Sequence, residues 1–191
     1  MVSARMPTLH VQRGTTMIEV LVTIVILAIG LLGLAGLQSR LQASEMESYQ
    51  RAQALVLLND MASRMAANRA NAAAYVTGAT APLGAGTTCP TATTTQQGTD
   101  VAQWCAALQG AAETSGGGSV GAMIGGRGCI EDLGGGAYLV TVAWQGLTPI
   151  SSPAPACGKG NYDGGAGSTC TGDLCRRVVT TIVRVGNLSS I

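Results

Sequence analysis

The acid that most needs a chemical explanation is Glu19, which immediately precedes an eighteen-residue apolar run, Val20 to Leu37. A charge placed inside a bilayer costs about 2.5–3.5 kcal/mol even on lenient insertion scales. An acid here must either meet a cation or stay at the membrane interface, where it would cap a helix near its positive dipole end. Cysteine offers a second kind of chemistry: Cys89, Cys105, Cys129, Cys157, Cys170 and Cys175 all lie beyond the run. An even set in a Gly-rich exported segment reads as disulfides made in an oxidising compartment, with the pairing left open by the spacing. Zinc is disfavoured, because there is no C-x-x-C and the only histidine, His10, precedes the apolar run.

Other residue patterns carry less. Without an imidazole after the run, Ser-His and Cys-His nucleophiles are excluded from that part of the chain. Glu131-Asp132 are adjacent acids, but in a Gly-rich stretch they read as solvated turn residues rather than an acid–base pair. The segment SGGGSVGAMIGGRG is not followed by Gly-Lys-Ser/Thr and so is not a phosphate loop. Arg127, Arg176 and Arg177 form either a small basic patch or strand-edge charges that discourage aggregation. With Arg5 and Arg13 set aside, nine basic residues face ten acidic ones, so nucleic acid is not an expected partner. No enzyme activity, cofactor or metal is expected.

The element that must position Glu19 is a helix. At 1.5 Å per residue the run spans about 27 Å, close to a bilayer's hydrocarbon core. Arg5 and Arg13 precede it with no acid before residue 15, which keeps the N-terminus cytoplasmic and sends the rest outward. A secretory signal with a cut near Leu34-Ala35-Gly36 and a plain signal anchor are both weighed, but neither accounts for the junction Arg13-Gly14-Thr15-Thr16-Met17-Ile18-Glu19. That junction resembles the type IV prepilin signature: Gly14, a cut before Thr15, and Glu19 as the fifth residue after the cut, leading into VLVTIVILAIGLLGLAG. The resemblance implies a leader, 1–14, removed by a prepilin peptidase, methylation of the new amino terminus, and pairing of the acid with a neighbouring subunit's terminal amine. Thr15 stands where that family customarily has Phe.

Residues 38–74 contain neither Pro nor Gly, so the helix is expected to continue from Thr16 to about Asn71. Leu55, Leu58, Met61 and Met65 form a stripe for packing on a globular head, and Arg40, Glu47, Arg51, Asp60 and Arg64 mark the wetter sides. Gly30, Gly33 and Gly36 permit close approach of neighbouring helices. Residues 77–98 read as a loop. A short helix is expected over Asp100–Leu108 with Thr99 as N-cap. Strands are expected at Ala137–Trp144 and Cys175–Val185, with a third at Cys129-Ile130 hairpinned across Glu131–Gly136. Residues 149–174 read as a long loop pinned by disulfides. The fold class is therefore α+β: a long N-terminal helix, membrane-spanning and then amphipathic, packed on a small antiparallel sheet.

The pilin resemblance implies the same architecture. Within that family the segment IEVLVTIVILAIGLLGLAGLQSRLQASEMESYQRAQALVLLNDMASRMAANR, the strand YLVTVAWQG and the late RRVVTTIVRV are most similar to the minor pilins called type IV pilus modification protein, PilV type. The implied organisation is a leader at 1–14, an assembly helix at 15–38, its amphipathic continuation at 39–76 and a disulfide-bearing head at 77–191. The implied role is a structural subunit that initiates or modulates pilus assembly, and so adhesion and twitching motility. Its partners would be the prepilin peptidase, other minor and major pilins, and the inner-membrane assembly machinery. It would sit in the bacterial inner membrane through residues 15–38 with a periplasmic head, then in the pilus. The alternatives are a minor pseudopilin of a type II secretion system and a membrane-tethered exported binding module.

Overall fold

The computed structural model describes residues 16–91, 94–111, 114–116, 118–119 and 123–186. It shows α1 (Met17–Ala67), a 3-10 stretch (Arg69–Tyr75), β1 (Leu83–Gly84), α2 (Gln96–Leu108), β2 (Thr114–Ser115), β3 (Gly118–Ser119), β4 (Arg127–Gly134), β5 (Ala137–Gln145) and β6 (Arg176–Arg184). The arrangement is α+β and pilin-like in layout, a long N-terminal helix followed by a small antiparallel sheet. Two compact units are present, the first ending at Gln42 and the second beginning at Ala43.

In the first unit α1 runs without interruption through Gly30, Gly33 and Gly36, and at each of them the position of a Cβ has no neighbouring atom within 4 Å. Three glycines inside a helix weaken it by roughly 1 kcal/mol each relative to Ala. The straight-chain and branched apolar residues around them leave the backbone no competing hydrogen-bond partner and hold it helical. Large apolar residues all around the segment, including Ile18, Leu27 and Leu32, are exposed.

In the second unit the main sheet has the order β1-β4-β5-β6, antiparallel throughout, and β2 and β3 make a separate two-stranded ladder. One sheet face carries Ile130, Tyr138, Val140, Val142, Trp144 and Val183 against α1 and α2. The α1 contribution is Ala54, Leu58, Met61 and Met65. Leu55, expected in this stripe, is instead 41% exposed. At about 100° per residue it projects roughly 100° from the centre of the line through 54, 58, 61 and 65, and Ala54 takes its place. The other sheet face is covered near Cys129 and Ala143 by Cys157 and Tyr162 from the loop 149–174.

Four boundaries depart from expectation. The first helix, expected to reach about Asn71, ends at Ala67, because Asn68 and Asn71 leave helical dihedrals and the chain tightens into the 3-10 stretch. The helix α2 begins at Gln96, where the Thr95 hydroxyl accepts the Gly98 N–H at 3.1 Å; Thr99 lies inside the first turn and is not the cap. Within the expected loop 77–98, Leu83 and Gly84 form an edge strand on Gly128 and Arg127. Finally, β4 extends from Arg127 to Gly134 rather than stopping after Ile130. Its hairpin to β5 turns on Gly134, Gly135 and Gly136, all at positive φ, which side-chain-bearing residues rarely adopt. Asp132 fastens that turn by accepting the Gly134 N–H at 2.8 Å.

Candidate assembly helix and the polar clusters of the head

Residues Gly14 and Thr15, and His10 with them, lie outside the described residues. Glu19 is described: it sits in the first turn of α1, exposed, with its own N–H donating to Thr16 O at 3.0 Å. Its carboxylate has no hydrogen bond or ion pair among the described residues. The following helix has a most apolar window of mean hydropathy 2.8, and none of that window is buried. This combination can do two things physically. The apolar surface can enter a bilayer or a bundle of like helices, and the carboxylate can then take one cation as its partner.

The six cysteines pair as Cys89–Cys105, Cys129–Cys157 and Cys170–Cys175. The first ties the start of the 89–96 connection to α2. The second joins β4 to the loop 149–174, and the third closes a tight loop just before β6. Among the described residues no group of three or more His, Cys, Asp or Glu is placed to hold a metal ion.

The head carries three polar clusters that the sequence pattern did not bring together. In the first, the Asp100 carboxylate accepts Tyr75 Oη at 2.5 Å, Gln96 Nε2 at 2.9 Å and Arg64 Nη1 at 3.0 Å. Arg64 also pairs with Asp60 at 2.9 Å. Burial pushes the Asp100 carboxyl upward, but the hydrogen bonds from Tyr75, Gln96 and Arg64 outweigh it, so its pKa lies below the usual value. The Tyr75 phenol is pushed up by burial and by donating to that carboxylate. Arg64 and Asp60, expected on a wetter side of α1, are partly exposed there and form the outer wall of this knot.

In the second cluster, Glu47 of α1 accepts Leu147 N at 3.0 Å, Thr148 Oγ1 at 3.3 Å and Arg177 Nη2 at 3.3 Å. In the third, the fully buried Arg176 donates to the carbonyls of Pro153 (2.9 Å), Pro155 and Cys157 (3.1 Å), with Asp173 at 3.4 Å as its counter-ion. At 3.4 Å the Asp173 contact is an ion pair rather than a well-formed hydrogen bond. Arg127 lies 5.0 Å over the Tyr162 ring, whose hydroxyl donates to Gly125 O at 2.9 Å; burial raises that phenol's pKa. The three arginines are thus neither a basic patch nor simple edge guards. Each is committed to a different internal partner, and apart from Asp173, three residues before Arg176, the contacts named lie 19 to 130 residues apart in sequence and leave no local signal. Glu131 and Asp132 do not converge either: consecutive strand residues point to opposite faces.

Residues 9–35 match the family described as the prokaryotic N-terminal methylation motif. The match supports a type IV pilin-like protein. It spans Gly14, Thr15 and Glu19 together with most of the apolar helix. No curated protein and no solved structure matches the chain. For a pilin-like or pseudopilin chain the motif implies processing by a prepilin peptidase and an assembly context, and motifs of this kind belong to structural rather than enzymatic proteins. Together with the apolar helix it also indicates membrane anchoring.

Proposed function

We propose that this chain is a minor type IV pilin, of the kind called type IV pilus modification protein, PilV type, that initiates or modulates pilus assembly. The observation that carries the reading is the methylation-motif match at residues 9–35, overlapping a helix whose apolar surface is exposed and whose first turn holds Glu19 with no partner among the described residues. The leader, 1–14, is removed before Thr15, and the new terminal amine of one subunit meets Glu19 of another. In an apolar bundle each charge neutralises the other, and a wrong register strands both, costing several kcal/mol. Residues 15–38 hold the chain in the inner membrane until assembly, 39–76 continue it as helix to Ala67 and a 3-10 stretch to Tyr75, and 77–191 form the periplasmic head. The three disulfides suit that oxidising compartment.

Intact mass of the purified wild-type protein tests this directly. The expected mass lacks residues 1–14, gains one methyl group and is reduced by the hydrogens lost in three disulfides. A mass that retains the leader sinks the reading. Substituting Gly14 is expected to leave the unprocessed chain. Glu19→Ala is expected to insert into membranes normally and to be absent from sheared pili; normal incorporation would refute the register role.

A further inference from the structure

The main sheet ends on β6, a nine-residue strand paired with β5 without a bulge from Ala137↔Arg184 to Gln145↔Arg176. Its hydrogen-bonding phase is fixed at both ends. Val185 N–H donates inward to Gly136 O at 2.8 Å, and Cys175 C=O accepts Gly146 N at 2.7 Å. Antiparallel alternation therefore turns the N–H and C=O groups of Val178, Thr180, Ile182 and Arg184 away from β5. Among the described residues nothing bonds to them. Thr180, Ile182 (50%) and Arg184 are exposed. Protein edges are usually blunted by a bulge, a proline, a lysine or a covering element. The strand RRVVTTIVR has no bulge, proline or lysine, and among the described residues no element covers its outer edge.

Each end of this edge has a cation to spare. At the Val178 end lies a groove of about 350 Å³ whose lining includes Glu47, Arg51, Trp144, Ile150, Arg177 and Val178. Arg177 is committed to Glu47 and to Thr148 O, whereas Arg51 is exposed and has no partner among the described residues. At the far end Arg184 is likewise exposed and unpaired among the described residues.

We propose that the outer edge of β6 accepts an extended strand from another protein, with β-branched residues at its centre and a carboxylate near each end to meet Arg51 and Arg184. Main-chain bonds to Val178, Thr180, Ile182 and Arg184 supply the affinity, and the two ion pairs set the choice of partner and the register. A second copy of β6 fits poorly. Antiparallel self-pairing about Thr180 does put Ile182 opposite Val178, but it also sets Arg184 opposite Arg176 and brings no acid to Arg51. The inference concerns the head alone and does not rest on the pilin reading.

The test is fluorescence anisotropy of the full chain in detergent micelles with a labelled synthetic peptide, Asp-Thr-Val-Thr-Ile-Thr-Val-Asp, and a twin whose terminal Asp residues are Lys. The acid-ended peptide is expected to bind saturably, and the Lys-ended twin at least about tenfold more weakly. Arg51→Glu and Arg184→Glu are each expected to weaken binding by about tenfold. Thr180→Pro is expected to abolish it while keeping the fold, because the N–H it removes faces away from β5. No binding, equal binding of the twin, or binding that survives Thr180→Pro in a protein with wild-type tryptophan fluorescence would overturn the proposal. So would Thr180-dependent dimerisation in analytical ultracentrifugation, which would make the occupant a second copy. If the proline variant does not fold, amide exchange of the wild type decides: the acid-ended peptide is expected to slow exchange across Val178–Arg184, and unchanged exchange refutes strand addition.

Discussion

Asp100→Asn isolates the charge at the centre of the head's largest polar knot. Asp100 is 3% exposed, and both of its oxygens receive only donors: Tyr75 Oη on one, Gln96 and Arg64 N–H groups on the other. An asparagine has the same shape but can accept on one side only. Its amide nitrogen would be driven toward Tyr75, the side with one donor rather than two, leaving the phenol hydrogen without its acceptor. One charge-assisted bond, about 1.5–3 kcal/mol, is lost, the Gln96 bond falls to neutral strength at about 1 kcal/mol, and the Arg64 bond stays charge-assisted but loses its ion-pair attraction. Part of that loss is recovered because Arg64 is 27% exposed and keeps Asp60 as its counter-ion. The net expectation is a destabilisation of about 2–3 kcal/mol at pH 7. Because the folded-state pKa of Asp100 is depressed, its contribution is complete above the unfolded value near 3.9 and disappears as pH falls through the lower folded value. The gap between wild type and variant should therefore shrink as pH falls below that unfolded value. Urea unfolding of the full chain in detergent, read by tryptophan fluorescence, follows the head directly, since both tryptophans, Trp104 and Trp144, lie there. A variant as stable as wild type at pH 7, or a gap that does not narrow on acidification below the unfolded value, would refute the electrostatic account.

Further outcomes follow from packing and cross-links. A Cβ added at Gly128 would stand 2.2 Å from Trp104 Cη2, and the indole cannot retreat because its Nε1 is tied to Leu57 O at 2.9 Å. Gly128→Ala is therefore expected to cost about 1–3 kcal/mol or more, partly rescued by Trp104→Leu in the same chain; additive losses in a double-mutant cycle would count against it. Replacing Cys129 and Cys157 by Ser frees a bridge of sequence separation 28 and should cost about 3–4 kcal/mol by loop-closure entropy, measurable as a lower urea midpoint.

How much was legible in advance varies along the chain with the range of the forces involved. The sequence by itself determined the apolar helix, its charged first turn, and β5 and β6, because periods of 3.6 and 2 and an unbroken hydrophobic run are local signals. It also determined that six thiols beyond the anchor would serve as bridges rather than ligands. It misplaced Leu55 by one position, since a stripe on a helix shows its centre only when the surface it meets is known. It missed β1, whose two residues have no strand pattern of their own; Gly84, at positive φ, lies so close to Gly126 O that a Cβ there would stand 2.4 Å from it. Which cysteines join, that Arg64 meets Asp100, that Arg176 collects the carbonyls of a proline-rich loop, and that Glu47 meets Arg177 were decided only by the tertiary structure. Apart from Cys170 and Cys175, five residues from each other, those partners lie well apart in sequence. Once the chain has folded, a buried charge or carbonyl must take whichever group stands beside it, because leaving it unpaired costs more than any local preference contributes.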